Sequence, residues 1–269
     1  MKDYLPKRIV CLTEETTELL YLLGEQDRIV GISGFTVRPP QARKEKPRVS
    51  AFTSAKIDKI LALKPDLVLG FSDMQADIAA ELVRHGVNVH IFNQRSIDEI
   101  LSMILMLGAM VGAQDKAQVW VHSFNQKADA LRCQCFDRPK PKVYFEEWDD
   151  PIITGIQWVS ELIELAGGID CFTDHAQQSL AKNRIVADHQ EVIDRQPDII
   201  IGSWCGKKFR PEKVMLREGW HEIPAVINQH VHEIKSCDIL QPGPAALTDG
   251  LAQIKTYIDQ WRTEISTAK

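Results

Sequence analysis

No run in the 269-residue sequence approaches the roughly 20 apolar residues that span a bilayer. The best candidate, Ile100 to Val111, is short and punctuated by Gly108 and Gly112, so no membrane insertion is expected. Positive charge is not in excess either. With 32 Lys and Arg against 37 Asp and Glu, the net charge of -5 leaves no broad basic face for phosphates, which excludes nucleic acid as an expected partner. Cysteine is sparse: Cys11, Cys133, Cys135, Cys171, Cys205 and Cys237 lack the dense spacing of a disulfide scaffold. Neither G-x-x-x-x-G-K-[ST] nor G-x-G-x-x-G occurs, so nothing points to ATP or NAD.

Metal and export signals are equally thin. HEIPA at 221–225 lacks the second histidine of a zinc protease helix, and CQC at 133–135 has no second pair. HVH at 230–232 puts two imidazoles on one strand face without third and fourth ligands, so no metal site is expected. The amino-terminal MKDYLPKRIVCLTEE has no long apolar stretch and no small-residue cleavage site. The expected localisation is cytoplasmic, or periplasmic if the sequence is a trimmed mature form.

What is present is alternation. Short apolar runs (Arg8 to Leu12, Ile29 to Ile32, Leu67 to Leu69, Val87 to Phe92, Val143 to Phe145, Ile199 to Ile201, Val231 to Ile234) read as strands. Between them lie helical patterns at Glu14 to Leu23, Gln75 to His85, Ile97 to Val111, Val159 to Ala166, Gln190 to Arg195 and Ala245 to Trp261. Such alternation implies an α/β fold with parallel sheets covered by helices.

The sequence also echoes itself. ILALKPDLVLG at 60–70 is repeated as VIDRQPDIIIG at 192–202, an offset of 132, and TELLYLLG at 17–24 as SELIELAG at 160–167, an offset of 143. Two matches in the same order imply a half-chain unit that occurs twice. The helical pattern from Asp115 to Cys135, about 30 Å long if helical, would join the halves before PKPK at 139–142 stops it. The expected domains are an amino-terminal α/β lobe over 1–112, a linking helix over 113–138 and a carboxy-terminal α/β lobe over 139–269.

Open parallel sheets bind ligands beyond the carboxyl ends of their strands. That rule picks out Glu14, Phe35, Phe52 and Phe71 in the first half, and Glu147, Trp148, Trp204, Cys205, Lys207, Asp238 and Gln241 in the second. Aromatics recur at these ends, which suits a bulky ring-containing ligand. The run Glu146-Glu147-Trp148-Asp149-Asp150 places four carboxylates around one tryptophan directly after a strand. It offers polar ligand contacts, a hard-cation site or an acid and base pair, or else a solvated loop neutralised by Lys207, Lys208 and Lys235. Cys205 beside Lys207 and Lys208 has the surroundings of a lowered thiol pKa, and with Cys11 and Cys237 three thiols fall at strand ends. For Cys11 a buried structural thiol is also open.

RIVCLTEETTELLYLLGEQDRIVGIS, KIDKILALKPDLVLG and ELIELAGGIDCF resemble the helical-backbone, class III substrate-binding proteins of ABC transporters, from Arg8 to about Trp261. FEEWDDPIITGIQWVSELIELAGG and SWCGKKFRPEK are most similar to sequences labelled cobalamin-binding. The resemblance implies two Rossmann-like lobes with central parallel sheets, joined by a single long α-helix, with the ligand in a cleft between them. It implies a non-catalytic, monomeric receptor that needs no cofactor and holds cobalamin or another corrinoid, the alternatives being haem, a ferric siderophore or a metal ion. By position it carries ligand contacts over to Phe71, Trp148, Trp204, Asp238 and Gln241. It also implies one carboxylate per lobe that docks an ABC permease, at Asp58 and, shifted by one position, Glu191. The alternative is a cytoplasmic protein that handles a metal or cofactor, or an enzyme acting on the ligand through Cys205 and the Glu146 to Asp150 cluster.

Overall fold

A computed structural model describes residues 4–267. The fold divides into two compact units, Met1–Gln94 with Asp98–Ser123, and Arg95–Ile97 with Phe124–Lys269. In the first, β1 (Ile9–Cys11), α1 (Glu14–Leu22), β2 (Ile29–Ser33), α2 (Ala42–Glu45), β3 (Arg48–Ser50), α3 (Ile57–Ala62), β4 (Leu67–Phe71), α4 (Ala76–Arg84) and β5 (Val89–Phe92) follow one another. The strands form one parallel sheet in the order β3-β2-β1-β4-β5. Strands β1 and β4 are buried throughout, as near-continuous apolar runs covered on both faces should be. Val10, Leu12, Val49, Ile60, Val68, Ile78 and Leu82 make a core on one of those faces.

Helices α5 (Ile97–Met110) and α6 (Gln114–Cys135) follow, and the chain passes from the first unit to the second within the 22 residues of α6. The second unit runs β6 (Lys142–Asp149), β7 (Ile152–Thr154), α7 (Gln157–Leu165), β8 (Ile169–Asp170), α8 (Thr173–Ala176), α9 (Gln190–Arg195), β9 (Ile199–Gly202), α10 (Pro211–Met215), α11 (Pro224–Ile227), β10 (Val231–Glu233), α12 (Ser236–Ile239) and α13 (Leu251–Thr267). Its sheet is ordered β10-β9-β6-β7, and β8 pairs with the start of the edge of β6 that β7 occupies further on. Strands β8, β6, β9 and β10 are parallel, whereas β7 folds back antiparallel on β6.

The sequence echoes have a structural cause. Helices α1 and α7 both end in a left-handed glycine, Gly24 (φ 75°) and Gly167 (φ 90°). In each, the N–H two residues beyond the helix cap reaches back to an earlier carbonyl, Glu25 to Leu20 and Gly168 to Ile163, both at 2.8–2.9 Å. Helices α3 and α9 lead into the Pro-Asp pairs through Lys64 (φ 47°) and Gln196 (φ 49°), both left-handed. Proline then prevents helix continuation and opens the buried strand β4 or β9.

Strands β3, β7 and β8, of two or three residues each, were not apparent in the sequence, since RVS, IIT and ID do not sit in longer apolar runs like those around β1 and β10. The segment read as one helix from Ala245 begins with a π-helical turn at Ala246–Gly250 and continues as α13. The acidic run after Phe145 is not a loop: β6 continues through Asp149.

Candidate functional site

Beyond the strand ends of the first unit, the organising residue is Gln75, which is fully buried. Its Nε2 donates to the carbonyls of Leu12 (3.4 Å) and Phe52 (2.9 Å), while its Oε1 accepts the N–H of Phe71 (3.0 Å). One amide thus ties the segments that follow β1 and β3 to the end of β4. The next residue, Ser72, has φ 62° and ψ 174°, backbone that costs an L residue of order 1–3 kcal/mol. It is held there by its N–H on the Phe92 carbonyl (2.8 Å). Ser72 falls among the residues that the strand-end rule points to, and Gln75 reads only as the start of a helical pattern; the tie that Gln75 makes has no sequence motif.

Glu14, expected to face ligand, is only 5% exposed. Its Oε1 accepts the N–H groups of Val37 (2.8 Å) and Arg38 (2.9 Å), and neighbouring Glu18 pairs with Arg38 at 2.9 Å. Burial pushes the Glu14 carboxyl up to about 7, against the pull of those two amides. Glu15, also buried, is raised to about 7 by the same cause. Phe35 is 59% exposed, Phe52 is half-buried, and Phe71 is buried in the sheet end.

In the second unit, the alternation of β6 sends Tyr144 and Glu146 to one side, and Trp148, beyond a register shift in the pairing with β7, packs against the same core as Tyr144. Glu146 is fully buried and accepts from the Tyr144 hydroxyl (2.9 Å), the Trp204 indole N–H (2.9 Å) and both terminal nitrogens of Arg217 (2.6 and 2.9 Å). Burial beside the Glu146 carboxylate pushes the Tyr144 phenol well above its ordinary value. Glu147 pairs with buried Arg184 at 2.6 Å, and Asp149 with Lys207. The four acids therefore do not form one site. Three are neutralised by three different cations, which removes the geometry for a hard-cation site or an acid and base pair at this run; of the residues proposed as neutralising it, Lys207 is in place.

Trp204 requires a second correction. It is only 2% exposed and lies against Phe209, ring centroids 4.9 Å apart. Gly202 makes this possible, since a Cβ there would come within 1.8 Å of the Phe209 ring. Trp204 is core, and Trp148 is the half-buried ring at this strand end. Lys207 spans them, its Nζ 4.5 Å from the Trp148 centroid and 4.8 Å from that of Trp204. Cys205 is exposed beside this group.

Cys11 is the buried structural thiol that was one of its two readings, fully buried in β1 with its thiol pushed up to about 12 by burial, so it does not join Cys205 and Cys237 at a strand end. The imidazole pair is also embedded. His232 stacks on Tyr257 at 4.1 Å, burial lowering it to about 4, and buried His230 lies 3.2 Å from Glu264. Asp238 and Gln241 are half-buried beyond β10. Asp238 lines a groove of about 490 Å³ with Glu233, Lys235, Asp249, Ala252, Gln253 and Thr256.

Asp58 is exposed in the first turn of α3. Glu191, in the first turn of α9, pairs with Arg195 at 2.6 Å, and Arg195 also holds Asp174 at 3.1 Å. Asp174, His175 and Glu191 have donor atoms within 4.8 Å of one another, but Arg195 already supplies the positive charge between the two carboxylates.

Comparison with known proteins adds four findings. A family model described as periplasmic binding protein matches residues 9–237. A vitamin B12-binding protein of Vibrio cholerae is 29% identical over 264 residues, 96% of this chain and 91% of the relative. Among solved structures, the periplasmic vitamin B12-binding protein of Vibrio cholerae superposes with a TM-score of 0.76 at 27% identity, covering 95% of this chain and 98% of that one. A periplasmic haem-binding protein of Roseiflexus has the same fold, with a TM-score of 0.77 at 22% identity over 94% and 99% of the two chains.

Proposed function

The chain belongs to the periplasmic binding protein family, and from that premise we propose that it is a non-catalytic receptor for a corrinoid such as cobalamin. The observation that carries this reading is the near-complete correspondence with a protein named for vitamin B12 binding, over 96% of the chain. The strand-end surfaces agree with it. Phe35, Phe52 and Trp148 offer flat apolar faces, while Asp238, Gln241 and Lys207 offer polar contacts to the amides and phosphate of such a ligand. Haem is the second ligand class, on the strength of the shared fold. No cofactor is needed for binding alone.

The same premise favours a periplasmic site of action, like that of the Vibrio cholerae vitamin B12-binding protein, over the cytoplasmic one expected from the amino terminus. Delivery to an ABC permease through Asp58 and Glu191 belongs to this reading, with the receptor acting as a monomer. Glu191 would have to exchange Arg195 for an arginine of the permease. The enzyme alternative is weakened, since three of its four acids are individually paired with cations.

The test is titration of the purified protein with cyanocobalamin, haemin and a ferric siderophore, followed by visible absorbance and calorimetry. Saturable one-to-one binding of cyanocobalamin is expected. No binding of any of the three at high micromolar concentration removes the receptor reading.

A further inference from the structure

The segment after β2 is unusual in how it is held. Phe35 (59% exposed) and Val37 (42% exposed) point apolar side chains into solvent, while Thr36 between them is fully buried. The N–H of Gly34 still reaches the Ser50 carbonyl of β3 (2.7 Å) and those of Phe35 and Thr36 turn back to Ser33 (both 3.2 Å), but Val37 and Arg38 lie beyond any strand partner, where amides are ordinarily left to water. Here the N–H groups of Val37 and Arg38 converge on one oxygen of Glu14, a carboxylate 5% exposed, and the Arg38 side chain is taken by Glu18, itself 6% exposed. Desolvating a carboxylate is unfavourable, so this arrangement imposes a loop conformation that hydration alone would not select. What it imposes is an apolar face exposed in advance of any ligand, which lowers the ordering entropy lost on binding.

We propose that Glu14, supported by Glu18, is a positioning residue that latches the segment from Gly34 to Arg38 so that Phe35 and Val37 present a preformed apolar face to the ligand. This rests on the receptor reading for its purpose, though not for the latch itself. The charged groups around the Glu14 carboxylate are Glu15 and Glu18 on its own helix and Arg38 from the loop. Releasing the loop would hydrate Glu14 and return it from about 7 towards its ordinary value of 4.5. Release is therefore coupled to loss of one proton and becomes easier by up to about tenfold per pH unit between those two values, then levels off.

The experiment is amide hydrogen exchange at Val37 and Arg38 in ligand-free protein, corrected for intrinsic rates, in wild type, Glu14→Leu, Glu14→Gln and Phe35→Ala. Wild type should be protected, with opening that rises from pH 5 to 7. Glu14→Gln, whose amide oxygen still accepts, should stay protected and lose that pH dependence. Glu14→Leu should lose protection by at least tenfold, whereas Phe35→Ala should retain it. With cyanocobalamin as probe, or haemin if only that binds, Glu14→Leu and Phe35→Ala should each weaken binding by at least tenfold. Unchanged protection in Glu14→Leu would overturn the latch. Lost protection with undiminished affinity would overturn its role in presenting the face. Should wild type bind neither probe, the receptor reading falls, and the exchange measurement still decides the latch.

Discussion

The carboxylate of Asp66 accepts the backbone N–H of Arg8 at 2.9 Å, and the Arg8 carbonyl accepts the N–H of Asp66 in return at 3.0 Å. The same pair of bonds recurs between Asp198 and Lys142, both at 2.8 Å. Each Pro-Asp pair thus clips the start of one central strand to the start of the first strand of its sheet. The basic side chains complete the parallel: Arg8 donates to the carbonyls of Leu63 and Lys64 that end α3, and Lys142 to that of Arg195 at the end of α9. Replacing Asp66 or Asp198 with Ala should lower stability by about 1–2 kcal/mol each, read as a shift of the urea midpoint. A variant of either residue that unfolds at the wild-type midpoint would mean that the clip contributes nothing.

The carboxylate of Glu146 accepts from Tyr144, Trp204 and both terminal nitrogens of Arg217 with no exposure to water. Glu146→Gln leaves Arg217 as a charge without its counter-ion, and a loss of about 3–5 kcal/mol follows. The double replacement Glu146→Gln with Arg217→Met should recover part of that loss, since no lone charge remains. Equilibrium denaturation of the three proteins checks the order.

The repeat, the parallel sheets and the strand ends were legible because each rests on local chemistry: a glycine that closes a helix, a proline that stops one, a branched run that must be buried. Pairing across the chain was not. Arg184 and Arg217 lie 37 and 71 residues from the acids they neutralise, and nothing in EEWDD announces either. Trp204 follows its strand as a ligand-facing residue would, and only the path of the Gly202–Phe209 segment, which lays Phe209 across the backbone, turns the indole inward. Glu14 reads from the sequence as a strand-end carboxylate, but the amides that claim it are 23 and 24 residues away and nothing local announces them.

Gln75→Leu keeps side-chain bulk and removes every hydrogen bond of the buried amide. The Phe71 N–H and the Phe52 carbonyl then lose their partners, with an expected destabilisation of about 2–3 kcal/mol. Because the amide joins three strand-end segments, hydrogen exchange should rise around Phe52 and Phe71 before it rises in β1. Uniform exchange through the unit would show that Gln75 supports the whole core and not the strand ends in particular.

Trp148 tests the ligand surface from the rim of the second unit's core, against which its half-buried ring packs. Its ring is half-buried under Lys207, its N–H bonded to the Asp150 carbonyl at 3.0 Å. Trp148→Ala should weaken cyanocobalamin binding by ten- to a hundredfold, about 1.4–2.8 kcal/mol. Lys207→Ala should cost less and make binding less sensitive to salt. Equal affinity for wild type and Trp148→Ala in calorimetric titration would remove this ring from the site.

Glu14 and Glu15 make a signed prediction for stability against pH. Both are raised by burial to about 7 from an ordinary value of 4.5, so between those values the folded state holds protons that the unfolded state has released. Their contribution is fully present below pH 4.5, falls as pH rises to about 7 and is level above it. His232, lowered to about 4, acts in the opposite sense, contributing above its ordinary 6.5 and losing that contribution as pH falls. The two trends overlap near pH 5–6, so the wild-type curve alone cannot separate them. The double variant Glu14→Gln, Glu15→Gln removes only the first. Urea midpoints at pH 5 and pH 7.5 should therefore show the double variant gaining on wild type as pH rises. Parallel shifts of the two proteins would mean that these carboxyls titrate alike in the folded and unfolded chain.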